Sequence, residues 1–245
     1  MRDHDTARPG SAPRGPAPTR AVLSDWGHTL FDTAGSVEFL ERWAREHGHD
    51  VPVAELGRRY REAFARSRTA SELAKGRDLS AERHRGCWLD LWRDIDAVLP
   101  GASGDLYEFE TGPLGWRPFP DTKAFLEALA AMRIPLVVVS DVPFDLRPIF
   151  AHYDLAHLVH SFFLSGEHGT VKAEGELFRL ALDSVGVQPH EAIMIGDNPS
   201  NDGYAVFSGI PTVLLPLPEP GAPRGLERVL RLIEAPTGPT GQTPT

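Results

Sequence analysis

Asp25, Ser140, Lys172, Asp197 and Asp202 are the residues of this chain whose types and positions could do chemistry together. Each stands at, or soon after, the end of a short apolar run: Asp25 after Ala21, Val22 and Leu23, Ser140 after residues 134–139, Lys172 beyond residues 158–164, and Asp197 after residues 192–195, with Asp202 five positions on. A carboxylate, a hydroxyl, an ammonium group and an acid pair can between them handle an anion or a metal ion. Taken singly, each has an ordinary structural explanation. Asp25 could cap a turn, Ser140 could end a strand, and Asp197 and Asp202 sit among the turn formers Asn198, Pro199 and Ser200. Four such coincidences at four run ends are much harder to explain that way.

Those four positions meet only if the apolar runs are parallel strands of one sheet. From residue 116 onward the pattern alternates: helix over 121–132, strand over 134–139, helix over 143–153, strand over 158–164, helix over 174–185, strand over 192–195, a short helix over 200–208, strand over 212–215 and helix over 224–233. Strands alternating with helices of this length imply right-handed crossovers and a parallel sheet covered on both faces. In such sheets ligands collect outside the carboxyl ends of the strands. The expected fold class is α/β, a doubly wound parallel sheet with an inserted helical domain.

The insert lies between the first strand and the rest. Residues 36–112 read as helical: Val37, Leu40, Trp43 and Ala44 share one face, Leu56, Tyr60 and Phe64 recur four apart, and a third helix over 80–99 opens with Ser80 as N-cap. Trp88 and Trp92 in that helix read as core, and Arg58, Arg59, Arg61, Arg66 and Arg68 as a solvated face. The expected organisation is a leader over 1–19 and a tail over 236–245, both too poor in large apolar residues to order, a core over 20–35 and 113–235, and a helical domain over 36–112. A formal charge of −9 argues against a nucleic-acid binder. The lone Cys87 excludes an internal disulfide, and no apolar run is long enough to span a bilayer, so a cytoplasmic location is expected.

In this order the motifs resemble those of the haloacid dehalogenase (HAD) superfamily with a helical C1-type cap. DWGHTL at Asp25 is similar to its first motif D-x-D-x-T-L, VVVSD at Ser140 to its second, VKAEGELF at Lys172 to its third and IGDNPSND at Asp197 and Asp202 to its fourth. The resemblance implies that Asp25 is the nucleophile and that Mg²⁺ is held by Asp25, the Gly27 carbonyl and Asp197, with Asp202 supporting from behind. It implies that Ser140 and Lys172 hold a phosphoryl group, with Gly27, Thr29 and Asp141 around the substrate. The implied reaction is Mg²⁺-dependent hydrolysis of a small phosphorylated metabolite.

One position departs from the pattern. HAD phosphatases carry a second Asp two residues after the nucleophile as general acid and base; here it is Gly27. Losing a positioned acid/base costs on the order of 10²–10⁴ in rate. His28 in the same turn is a candidate replacement, and a leaving group such as an acyl phosphate needs little protonation. A small residue in this slot also occurs in phosphonoacetaldehyde hydrolases, which use a cap lysine as a Schiff base, and Lys75 is the one lysine in the insert. A phosphate-binding protein of weak turnover is the remaining alternative.

Overall fold

The computed structural model describes residues 18–33, 35–219 and 221–234. The expected tail, and the expected leader apart from Pro18 and Thr19, lie outside the described residues. In chain order the elements are β1 (Ala21–Ser24), β2 (Phe31–Asp32), α1 (Ser36–Glu46), α2 (Val53–Ser67), α3 (Ala70–Leu73), α4 (Ala81–Leu91), α5 (Arg93–Asp96) and α6 (Ala102–Thr111). There follow β3 (Arg117–Pro118), α7 (Thr122–Ala131), β4 (Leu136–Ser140), α8 (Arg147–His152), β5 (Ser161–Leu164), α9 (Ser165–His168), α10 (Glu176–Val185), β6 (Ala192–Gly196), β7 (Thr212–Leu214) and α11 (Leu226–Glu234).

Five strands form one parallel sheet in the order β5-β4-β1-β6-β7. Every residue of β1, β4 and β6 is buried, which is why these strands read as unbroken apolar runs instead of alternating ones. Alternate side chains serve opposite faces. Val22, Val138, Ile193 and Ile195 join the cluster under α7, α8 and α11, while Ala21, Leu23, Val137, Val139 and Met194 pack with Leu177, Phe178 and Ala181 of α10.

Helices α1–α6 bury a third cluster of their own, built on Leu40, Leu56, Trp92, Ile95, Leu99 and Leu106. Where the chain leaves the sheet and returns to it, β2 and β3 pair antiparallel, Phe31 opposite Pro118 and Asp32 opposite Arg117. That ribbon was not legible in the sequence, since two-residue strands carry no periodicity. Two expected helices are also revised. Residues 80–99 break at Trp92 into α4 and α5, and residues 202–208 form a 3₁₀ helix, Asp202–Ser208, seeded by the Asn198 turn. Among the described residues no helix is long and apolar enough to cross a membrane.

Register decides what meets at the sheet edge. Ser24 lies opposite Val138 on one side and Ile195 on the other, so β1, β4 and β6 end nearly level. The next residue, Asp25, is tied to the same edge by its N–H, which donates to the Ile195 carbonyl at 2.8 Å.

Candidate active site

Asp25, only 8% exposed, sits on that edge beneath α2 and α4. Its Oδ1 accepts from Ser140 Oγ at 3.0 Å and from Lys172 Nζ at 2.8 Å. Among the described residues Oδ2 takes no such bond. Lys172 reaches across from the 3₁₀ turn Lys172–Glu174 and also donates to Asp202 Oδ1 at 2.5 Å. Burial alone would depress its ammonium, but Asp202, Asp25 and Asp141 together hold it above the ordinary lysine range. The residue is 2% exposed and stays charged.

Asp202 is wholly buried and both its oxygens are engaged. Oδ1 takes Lys172, and Oδ2 accepts the Asp197 and Asn198 N–H groups at 2.9 Å each. This packing needs Gly196, because a Cβ there would stand 2.2 Å from the Asp202 carboxyl. Asp141 ties the loops together: Oδ1 accepts the Lys172 N–H at 2.8 Å and Oδ2 accepts from Asn201 Nδ2 at 3.0 Å. Burial pushes its carboxyl up to about 6.

Asp25, Asp197 and Asp202 each offer an oxygen within 4.8 Å of the others. Three hard oxygen donors this close carry more negative charge than Lys172 offsets, and that is the chemistry of a site for Mg²⁺. Asp202 is already spent on both oxygens, so Asp25 and Asp197 are the carboxylates with an oxygen to present. The residues fit the ion.

Above this edge lies a cavity of about 160 Å³, walled on one side by the helical insert. Hydrogen bonds bridge the insert to the loops at the sheet edge: Arg68 donates to Asp197 Oδ2 at 2.9 Å, and Ser165 Oγ donates to the Asp78 carbonyl at 2.5 Å. Gly27 and His28 line the cavity. His28 holds a left-handed backbone, φ 55°, pinned by its N–H to the Phe31 carbonyl and its own carbonyl to Arg224 Nε, both at 2.6 Å. Its Nδ1 lies 3.5 Å from Asp32 Oδ1 and its ring packs edge-on to Phe64.

The insert side of the cavity holds buried polar groups. Tyr60 donates its hydroxyl to Glu110 Oε1 at 2.6 Å, and burial pushes that carboxyl up to about 7. Trp88 Nε1 donates to His84 Nε2 at 3.0 Å, so the His84 proton sits on Nδ1, facing the Tyr107 hydroxyl at 3.0 Å. Burial and the Arg77 charge lower His84 to about 3, which matches the neutral ring this pairing requires.

Of the residues singled out in the sequence, Asp25, Gly27, His28, Ser140, Asp141, Lys172, Asp197 and Asp202 all line the cavity. Thr29 does not. It is fully buried beneath the loop with Oγ1 unpartnered among the described residues, so a substrate contact through its side chain has no geometric basis. Lys75 is also elsewhere: Nζ pairs with Glu72 at 2.7 Å and the side chain is 43% exposed, far from what a Schiff-base lysine needs. Sequence reasoning missed Arg68, read as part of a solvated face, because the last turn of α2 tips it onto Asp197. Trp92 belongs to the insert's core and Trp88 packs against it, as read from the sequence, and both also border the cavity. Their i, i+4 spacing could not say which side of α4 meets the sheet.

A carboxylate at the end of the central strand of a parallel sheet, flanked by a hydroxyl, a buried lysine and an acidic loop, defines a hydrolase site of the HAD type. The chain belongs to the haloacid dehalogenase-like hydrolase family, which it matches over residues 19–205. It is similar to the phosphoserine phosphatase of Thermus thermophilus, 38% identical over 85 residues, and that match spans 34% of this chain and 34% of the relative. Two solved structures share its fold. A HAD phosphatase from Thermococcus onnurineus superposes over 90% of this chain and 100% of its own, at 20% identity and a TM-score of 0.58. L-2-haloacid dehalogenase from Xanthobacter autotrophicus does so over 90% and 85%, at 17% identity and a TM-score of 0.60.

Proposed function

We propose that this hydrolase is a Mg²⁺-dependent phosphatase of small phosphorylated compounds, with Asp25 as nucleophile and α1–α6 as the cap over a core of residues 20–35 and 113–235. The observation that carries the reading is the division of labour on Asp25. Ser140 and Lys172 both bind Oδ1 and hold the carboxylate in place, which leaves Oδ2 without a protein partner among the described residues. Local similarity to a phosphoserine phosphatase supports the phosphoryl substrate, and the acidic cluster of Asp25, Asp197 and Asp202 supports the metal.

Asp25 and Asp197 would hold Mg²⁺, which supplies charge neutralisation between the carboxylates and the incoming anion. The chain's own groups do the rest. Ser140 and Lys172 orient the nucleophile, and Lys172, with two of its three N–H groups engaged, offers the third to a phosphoryl oxygen. Asp202 keeps Lys172 and the 197–198 backbone in place, and the cap limits water at the reacting centre. Asp25 takes the phosphoryl group as an acyl phosphate, and water then returns the carboxylate and releases phosphate. Gly27 contributes no proton, so turnover is weakened for esters whose leaving oxygen must be protonated.

The test is phosphate release from acetyl phosphate with added Mg²⁺. The intact chain should turn over many equivalents, chelation should stop it, and Asp25→Asn should lose at least about 10³-fold. Retained activity in Asp25→Asn, or metal-independent halide release from a 2-haloacid, overturns the reading.

A further inference from the structure

Four of the chain's five tryptophans, Trp26, Trp88, Trp92 and Trp116, line the cavity above Asp25. Phe64 of α2 and Phe144 of the loop after β4 line it too, and these two rings and Trp88 are only half-buried, so they keep surface to give to a ligand. Trp88 is locked in orientation by its bond to His84 and packs against Trp92 with ring centroids 5.0 Å apart. The indole N–H groups of Trp26 and Trp92 are buried and have no partner among the described residues.

The charged groups of this wall are already committed. Arg77 donates to the Ser67 carbonyl at 2.7 Å, pairs with Asp78 at 3.3 Å and stacks over Trp88; Arg68 is held by Asp197. Each guanidinium along this wall thus already has an acidic partner. A second, independent observation concerns the leaving group. Gly27 carries no acid, and the Trp116 ring lies in ordinary contact, 3.4 Å, with the point where a Cβ there would stand, so aromatic surface borders the position from which a residue-27 carboxyl would act. An alkoxide needs that proton; a phenolate, whose conjugate acid has a pKa of about 10, needs it far less.

We propose that the substrate is an aryl phosphate, its planar ring held by Phe64, Trp88 and Phe144 and its phosphoryl group against Asp25. This rests on the phosphatase reading and names the substrate class for it. In the step, an Asp25 carboxylate oxygen bonds to phosphorus and the bond from phosphorus to the phenolic oxygen breaks. The electron pair leaves on the phenolate, which takes a proton from water. Water then hydrolyses the acyl phosphate, restoring Asp25 and releasing inorganic phosphate. Flat apolar rings stacked on tryptophan gain offset or edge contacts that an alkyl chain of equal size does not.

The experiment compares 2-naphthyl phosphate, acetyl phosphate and phosphoserine with the full chain in Mg²⁺, alongside calorimetric binding of naphthylmethylphosphonate and methylphosphonate. The expected result is a kcat/KM for 2-naphthyl phosphate about 100-fold or more above that for phosphoserine, with the naphthyl phosphonate binding about tenfold tighter than the methyl one. Trp88→Leu should lower kcat/KM about tenfold more for 2-naphthyl phosphate than for acetyl phosphate, which separates a lost ring contact from a general loss of structure. Phosphoserine turned over as well as the naphthyl ester, equal binding of the two phosphonates, or an equal loss on both substrates in Trp88→Leu overturns the proposal. If none of the three substrates is hydrolysed in an Asp25-dependent way, the phosphatase reading falls instead, and the phosphonate pair still decides whether the aromatic subsite exists.

Discussion

Replacing Lys172 by Met tests the electrostatic centre of the site. The ammonium is 2% exposed and lies 2.8 Å from Asp25 and 2.5 Å from Asp202, itself wholly buried. Met matches the length of the aliphatic stem, so packing is largely kept and the change is one of charge. Removing one partner of a buried pair leaves an uncompensated charge and costs about 3–5 kcal/mol. For a chain of this size each kcal/mol moves Tm by about 2–4 °C, so the variant should melt about 6–20 °C lower at pH 8. The sign with pH follows from Asp202, whose carboxyl burial already pushes above its ordinary value of 3.8. Without Lys172 it rises further, so the variant is stable with that group protonated and loses stability as pH rises through the raised value. The Tm gap between the two proteins should be smallest near pH 4 and widen towards pH 8. Thermal melts followed by circular dichroism across that range decide it. A gap below about 3 °C at pH 8, or one that does not change with pH, refutes the claim that Lys172 neutralises the buried carboxylates.

Two further perturbations follow from the same structure. Glu110, raised by burial from 4.5 to about 7, favours folding while protonated and loses that contribution as pH rises between those values. The full linkage is about 3 kcal/mol, so denaturant titrations of the intact chain should show a fall in stability between pH 4.5 and 7 that Glu110→Gln lacks, and parallel curves would refute it. Gly196→Ala places a Cβ 2.2 Å from the Asp202 carboxyl. It should cost about 2–3 kcal/mol by displacing that side chain from Lys172 and the 197–198 amides, and a double-mutant cycle with Asp202→Ala should show strong coupling; additive costs would mean the two do not compete for one space.

The chain's sequence by itself determined the sheet and the order of its chemistry. Apolar runs such as residues 136–139 and 192–195 can be stable only as strands covered on both faces, and parallel strands must send Asp25, Ser140 and Asp197 to one edge. The Asp-Asn-Pro-Ser turn also marked where β6 gives way to the acidic loop. Tertiary structure alone decided which residues of the helical insert face that edge. Helical spacing gives α2 and α4 an apolar stripe, but an insert with its own core buries one side of that stripe and turns the other to the cavity, and nothing local distinguishes the two. That is why Arg68 read as solvated and Lys75 as a candidate nucleophile, although the fold puts the first at the site and leaves the second in solvent, and why Trp88, packed on the insert's core as expected, could not be read as also facing the cavity. Thr29 shows the converse: its place in the motif is local, while its complete burial is a property of the folded chain alone.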